Sequence, residues 1–533
     1  MAITSKHISY HKTGYFNPLV LDYINQGSSL FSLPLLTPDL SGLKKSIEQR
    51  QQFTTNRSVL VAHLKSQYEG IDLLPSVREN IERLSLSNTF TITTAHQNNL
   101  FTGPLYFFYK ILHAIRLAKY CKEHFPDQYF VPVFYMGSED ADLDELNHIH
   151  IGGTTYQWNT AQQGAVGRMK VDQELQSLLH QLEGELGVLP YGKEWVDMLS
   201  QFYRKNETMA RATFRLVNHL LGKFGLVVLD ADAKNLKQLF TPVCSFDLEA
   251  GQTASLLDTT FKQMKEWGYS SQAYVRPINL FYLKEGLRQR LEKTNDNWQV
   301  VGTALEFNKQ QLLEELNQYP DRFSPNVILR GLYQSLILPD IAFIGGGSEV
   351  AYWIPLLPLF EKMGIPYPVL VLRNSFLLTS TEQSLALEKM GLNAADLFEP
   401  VQVLLKRFYV ASDKQNSSLE EELAYLQEFY QKLVLKAETV DYTLKGHAES
   451  IGKTGDRLLR GMEKKMARAT KRKYADTEKK LCVLKDALFP AGQLQERYDN
   501  MGFYYARYGN KIFDQLIEAS LPLDPRFTIV TLD

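Results

Sequence analysis

The stretch Thr94-Ala-His-Gln-Asn-Asn-Leu-Phe-Thr-Gly-Pro104 sets one histidine and three amides between a β-branched run and a proline suited to the first turn of a helix. A helix start presents unpaired backbone N–H groups and partial positive charge. Thr102, Gly103 and the turn after them are therefore candidates for holding phosphate or carboxylate, with His96 as a further donor. An ordinary polar loop with Thr102 as helix cap fits the same residues. A second stretch, Gly137-Ser-Glu-Asp-Ala-Asp-Leu-Asp-Glu-Leu-Asn-His148, gathers Glu139, Asp140, Asp142, Asp144 and Glu145 at the end of an apolar run. Such acids can bind a substrate ammonium or Mg2+, and one can take a proton from an attacking amine. Helix capping accounts for Asp142 to Glu145, but less well for Glu139 and Asp140, which fall nearest the strand end.

A third stretch, Ile344-Gly-Gly-Gly-Ser-Glu-Val-Ala-Tyr-Trp353, lets backbone approach a ligand at Gly345, Gly346 and Gly347, with Glu349 and Tyr352 one helical turn apart. It has neither GxGxxG spacing nor the lysine of a phosphate-binding loop. Arg330 and Arg373 are each able to grip a carboxylate or phosphate, or to form a surface ion pair. His148 and His150 fit a strand face better than a metal site, so no metal ligand set is expected. No GxSxG elbow, HExxH or Cys/His pattern is present. These residue types suit positioning and charge stabilisation rather than a covalent protein nucleophile.

The elements that must carry these residues alternate apolar runs with helical patterns up to about residue 400, the signature of an α/β fold. Thr89–Thr94, Tyr129–Gly137, Phe224–Leu229, Ile341–Ile344 and Tyr367–Leu372 read as buried parallel strands, each followed by Gly, charged or amide residues. Ligands bind at that edge of an open parallel sheet. Leu105, Phe108, Leu112 and Ile115 mark one apolar face of a helix ending at Pro126. Segments 155–215 and 245–325 read as helical insertions rather than sheet. From about 415 to 490, Leu419, Leu423, Leu426, Tyr430, Leu433, Ala437, Val440 and Leu444 form a heptad seam. Glycines at 446, 452, 455 and 461 suggest a break, and Leu481, Leu484 and Leu488 resume the pattern. The acidic first helix (Glu420, Glu421, Glu422, Glu428, Glu438) and the basic second one (from Arg457 to Lys473, including Lys471) fit a hairpin or a second subunit better than nucleic acid. The segment 491–533 is expected to return to the core.

The 533 residues suffice for two or three domains, and a net charge of −2 gives no global pull toward nucleic acid or an anionic membrane. Cys121, Cys244 and Cys482 form no CxxC pair, which fits reduced thiols and a cytoplasmic location. No apolar stretch reaches the ~18 residues of a membrane span.

The stretches at 93–118, 131–151 and 324–353, with LFPAGQLQERYDN at 488–500, together resemble the BshC family of cysteine ligases in bacillithiol biosynthesis. The likeness runs in order over essentially the whole chain. It implies a Rossmann-like parallel-sheet core with connecting insertions, akin to class I aminoacyl-tRNA synthetases, plus a C-terminal coiled-coil arm used for dimerisation. It implies a ligase adding cysteine to glucosaminyl-malate with ATP or ADP bound and Mg2+ as a possible companion. His96, Glu139, Asp140 and Asp142 would be catalytic. Gln97, Asn98, Thr102, Gly103 and Gly345–Gly347 would hold nucleotide. Arg330, Glu349, Tyr352, Trp353, Arg373, Ser375, Gln495 and Arg497 would contact substrate. Another nucleotide-dependent transferase, nucleotidyl or glycosyl, and a non-catalytic coiled-coil scaffold are the rival readings.

Overall fold

The computed structural model describes residues 4–26, 29–412 and 419–533. The start of the expected arm, 415–418, lies outside the described residues, as does the side chain of Lys471. The chain forms two compact units. The larger runs to Leu377 and resumes over Gln493–Val530; the smaller covers Leu378–Gly492 and Thr531–Asp533.

The larger unit is built on five parallel strands: β1 (Thr89–Gln97), β2 (Tyr129–Gly137), β3 (Val227–Asp230), β4 (Asp340–Gly345) and β5 (Val369–Leu372). Their order across the sheet is β3-β2-β1-β4-β5. The β-branched and aromatic residues of β1 and β2 suit a pleated, doubly covered surface. They pair over nine residues, from Thr89 beside Tyr129 to Gln97 beside Gly137. β1 is buried from Thr89 to Thr94 and opens only at Ala95–Gln97, where its carboxyl end meets the cleft.

Helix α1 (Tyr106–His124) follows β1 and packs on β1 and β2. Ala114, Leu117, Ala118 and Cys121 join Phe90, Ile92, Phe130, Ile341, Ile344 and Val371 in one apolar cluster with Leu43 and Ile47. Lys110 and His113 are buried on the same helix, so its buried surface is far wider than one stripe. At the amino end of β4, Arg50 reaches Asp340 Oδ1 at 2.8 Å and the carbonyls of Asp340, Ser335 and Pro366 at 3.1, 2.8 and 3.1 Å.

The segment 155–215 is largely helical, with Gln173–Leu186, Gly192–Phe202 and the start of Met209–Leu221. The expectation of helices rather than sheet for 245–325 holds only in part, for Gln252–Glu266 and Lys309–Gln318. After the helix Gln252–Glu266, the strands Leu280–Lys284, Leu287–Thr294, Asn297–Val300, Glu306–Asn308 and Phe323–Pro325 form a five-stranded antiparallel sheet. One face is so exposed that Leu291 is the only buried residue of Leu287–Thr294, and charge masks the period-two pattern. The turns carried the readable signal: Gly286 and Asn295 take positive φ of 66° and 56°, as tight hairpins require.

In the smaller unit, α2 (Glu420–Val440) and α3 (Lys445–Lys473) pack as a hairpin across a short turn at Tyr442–Leu444. The glycines break nothing, since all four lie inside α3. A Cβ at Gly452 or Gly455 would come within 3.3 or 3.0 Å of Tyr430, so two of them admit its ring.

Arg50→Met leaves the Asp340 carboxylate buried without its cation. It is expected to lower the unfolding free energy of the larger unit by about 3–5 kcal/mol, measured by urea titration.

Candidate active site

The strand order reverses between β1 and β4, so their carboxyl ends part and leave a crevice. A cleft of about 480 Å³ lies there, and the turns around His96, Asp140 and Gly346 all line it. β1 supplies His96 and Gln97; the turn after β2 supplies Asp140 and Glu145; the turn after β4 supplies Gly346, Gly347 and Glu349. Arg373 follows β5, Arg330 and Tyr352 come from short helices, and Arg497 comes from the returning C-terminal segment. Lys110 and Tyr106 of α1 and Arg288 of the antiparallel sheet complete the charged and polar wall. Five cationic residues thus face three acids, an excess that favours a ligand with several negative charges.

Each charge has a distinct setting. Asp140 accepts from Gln97 Nε2 at 2.9 Å and lies 3.8 Å from Arg288 and 3.7 Å from Arg330. Burial pushes its carboxyl up, but the two guanidinium groups outweigh burial and leave it below the usual range. Glu145 is shifted the opposite way: burial, then the charges of Asp142 and Asp140, hold its carboxyl above the usual range. Burial lowers the Arg288 guanidinium to about 10, with Arg330 adding to the shift. Lys110 pairs with Glu349, which also accepts the Gly346 N–H at 2.7 Å. The Lys110 ammonium lies 3.5 Å from His96 Nδ1; as a pure donor it makes that nitrogen the acceptor and leaves the ring proton on Nε2. Arg373 grips Glu496 with both terminal nitrogens, at 2.9 and 2.7 Å, and its Nε is buried without a partner.

Several expected residues lie elsewhere. Glu139 pairs with buried Lys237, which also holds Asp232 at 2.7 Å, so it belongs to an ion cluster behind β2. Asp142 is exposed and caps the short helix Leu143–Leu146. Thr102 does not cap α1, which starts at Tyr106 with no side-chain cap. Instead Phe101, Thr102 and Gly103 all take positive φ (42°, 73° and 65°), a conformation that strains the first two. Asn500 Nδ2 holds the Phe101 and Gly103 carbonyls at 3.1 and 2.6 Å, and the Leu105 N–H donates to Asp499 O at 2.8 Å. With Asn98 buried beside them, Asn98, Thr102 and Gly103 do not line the cleft. Gly345 closes β4, and Trp353 stacks on Phe343 at 4.3 Å as a core residue. Ser375 hydrogen-bonds Arg373 and Glu496, and Gln495 is buried in the same corner. Ser375 thus supports Arg373, and neither residue lines the cleft.

Sequence reasoning missed Lys110, Arg288 and Glu496, and it named Glu145 only as one acid of its cluster. Lys110 carried a signal, being a lysine amid Phe107, Phe108, Ile111 and Leu112; Arg288 carried none, because its neighbours come from distant strands.

The fold and the cleft together define a Rossmann-like α/β protein with a charged cleft at the sheet's switch point. The chain belongs to the BshC family. It matches the models described as "Bacillithiol biosynthesis BshC, N-terminal Rossmann-like domain" over residues 3–374 and "Bacillithiol biosynthesis BshC, C-terminal coiled-coil domain" over 376–532. It is similar to proteins named "Putative cysteine ligase BshC". That of Flavobacterium johnsoniae is 37% identical over 98% of this chain and 99% of its own. Those of Flavobacterium psychrophilum and Cytophaga hutchinsonii are 36% and 35% identical, each over 98% of both chains. Among the described residues, no helix is long and apolar enough to cross a membrane.

Burial, then the charges of Lys110, Arg373 and Arg330, drive the His96 pKa well below 6.5. Its imidazole is therefore expected to stay neutral from pH 8 down to pH 5. Nitrogen-15 NMR of the ring should show no titration of His96 across that window.

Proposed function

We propose that this chain is a ligase that joins the carboxyl of cysteine to the amine of glucosaminyl-malate, the last step of bacillithiol biosynthesis. One observation carries the reading: a cation-rich cleft at the switch point of the parallel sheet, in a chain alike from end to end to relatives named as cysteine ligases. That full-length likeness gives the rival transferase and scaffold readings no support.

The chain's own residues divide the work. Arg330 and Arg288 hold the malate carboxylates, which suits two guanidinium groups already converging on one carboxylate. Asp140 stays ionised and weakly basic, so it holds the ammonium of cysteine better than it accepts a proton. Glu145, raised toward neutrality, is the better proton acceptor for the attacking amine. The new C–N bond forms as the bond from the cysteine carbonyl carbon to its leaving oxygen breaks, and the amine proton passes to Glu145. Much of the rate comes from holding the two substrates together.

ATP supplies the activation by turning that oxygen into a phosphate-borne leaving group. The cationic excess of the cleft and the buried, unpartnered Nε of Arg373 fit such a polyanion. Of the expected nucleotide contacts, Gln97, Gly346 and Gly347 line the cleft. Among the described residues, no group of three or more His, Cys, Asp and Glu gathers to hold a metal. Mg2+ would therefore ride on the phosphates with one or two carboxylates. The likeness to class I synthetases remains part of this reading, as does a cytoplasmic setting with the thiols reduced.

Self-association through the arm belongs to the same reading. Tyr425, Phe429, Leu435, Leu458 and Met462 are exposed on α2 and α3, an apolar surface that a second copy can cover.

Purified protein is expected to form the amide from cysteine, ATP and glucosaminyl-malate. Asp140→Asn should raise the KM for cysteine by about tenfold or more. The Glu145 carboxylate is lost as pH falls through its raised pKa, so kcat/KM should fall on the acid side at a pH above that of an ordinary carboxyl. Glu145→Gln should remove this limb; an unchanged pH profile would dismiss Glu145 as the base. Phe429→Glu combined with Leu458→Glu should convert dimer to monomer in sedimentation velocity.

A further inference from the structure

Lys110 projects from α1 into the floor of the cleft with a side chain only 4% exposed. A buried ammonium needs a counter-ion, and its counter-ion is Glu349, whose side chain is 20% exposed and lines the cleft. Arg373 comes to the same spot. A Cβ placed on Gly346 would sit 3.3 Å from Glu349 Oε2 and 3.6 Å from Arg373 Nε, so carboxylate and guanidinium flank one glycine. The terminal nitrogens of Arg373 are taken by Glu496, but its Nε–H, on a residue 3% exposed, has no partner. Buried donors are seldom left unpaired, and an unpaired one beside a half-buried carboxylate that lines a cleft marks a place meant for another acceptor.

We propose that the Glu349 carboxylate is an internal stand-in, which an anionic ligand group displaces from Lys110 to occupy a cradle formed by Lys110 Nζ and Arg373 Nε. The group is a carboxylate or a phosphate, the two anions whose oxygens match an ammonium and a guanidinium edge. Displacement is favoured because the ligand anion and the Glu349 carboxylate repel each other at the same ammonium. The released Glu349 stays at the cleft wall, where Arg330, Tyr352 and Arg497 also lie. The proposal rests on this cleft being the substrate site and is independent of ligase chemistry.

The test is calorimetric titration of the full-length protein with L-malate alone and with inorganic pyrophosphate alone, in the absence of cysteine and ATP. Glu349→Gln keeps the side-chain shape and an acceptor for the Gly346 N–H while removing the competing charge. Asp142→Asn removes an equal charge from the exposed turn beside the cleft without touching Lys110. Glu349→Gln is expected to bind at least one probe about tenfold more tightly than the parent, with Asp142→Asn changing affinity less than about threefold. The probe that gains identifies the group as carboxylate or phosphate. Unchanged or weaker binding of both probes by Glu349→Gln overturns the proposal, as does an equal gain in Asp142→Asn. Because no turnover is measured, a failure here is separable from a failure to form the amide.

Discussion

A buried bidentate pair, Arg373 with Glu496, ties the carboxyl end of β5 to a segment more than a hundred residues further along the chain. The same segment holds the strained turn at Phe101–Gly103 through Asn500 and Asp499. Two non-glycine residues at positive φ persist only where the surroundings over-determine them. The larger unit is therefore completed by Gln493–Val530, and Arg497 reaches the cleft only when that segment is in place.

The cleft separates its charges by environment rather than by residue type. Asp140 and Glu145 lie five positions apart in one turn, yet two guanidiniums hold the first carboxyl down, while burial and neighbouring acids lift the second. A site that pushes two carboxyls in opposite directions can keep one as a fixed charge and use the other for proton transfer. His96 becomes a neutral donor through burial first, and then because the cations around it disfavour another positive charge. Glu139, adjacent to Asp140, pairs with Lys237 instead, so a single peptide step decides which acid lines the cleft.

The parallel core was legible because β1 is rich in β-branched residues, β2, β3, β4 and β5 are largely apolar, and each is closed by a polar turn, which is a one-dimensional pattern. The site was legible to the level of its turns: His96, Asp140 and Gly346 do meet. The antiparallel sheet between 280 and 325 was hidden because its longest strand, Leu287–Thr294, is exposed and charged and its other strands are only three to five residues long. The arm's apolar periodicity was readable, but the role of its glycines was not, since their use is to admit Tyr430 from the facing helix.

The sequence by itself determined the α/β class, the strands, the polar turns at their carboxyl ends, the helical arm and the family, because each depends on residues close together along the chain. Tertiary structure alone decided that Lys110, Arg288, Glu145 and Arg497 share the cleft while Glu139, Thr102 and Trp353 do not. It also decided that Arg373 spends its terminal nitrogens on Glu496. Those outcomes depend on which way a side chain points and which distant charge it meets, and neither is encoded in spacing along one strand or helix.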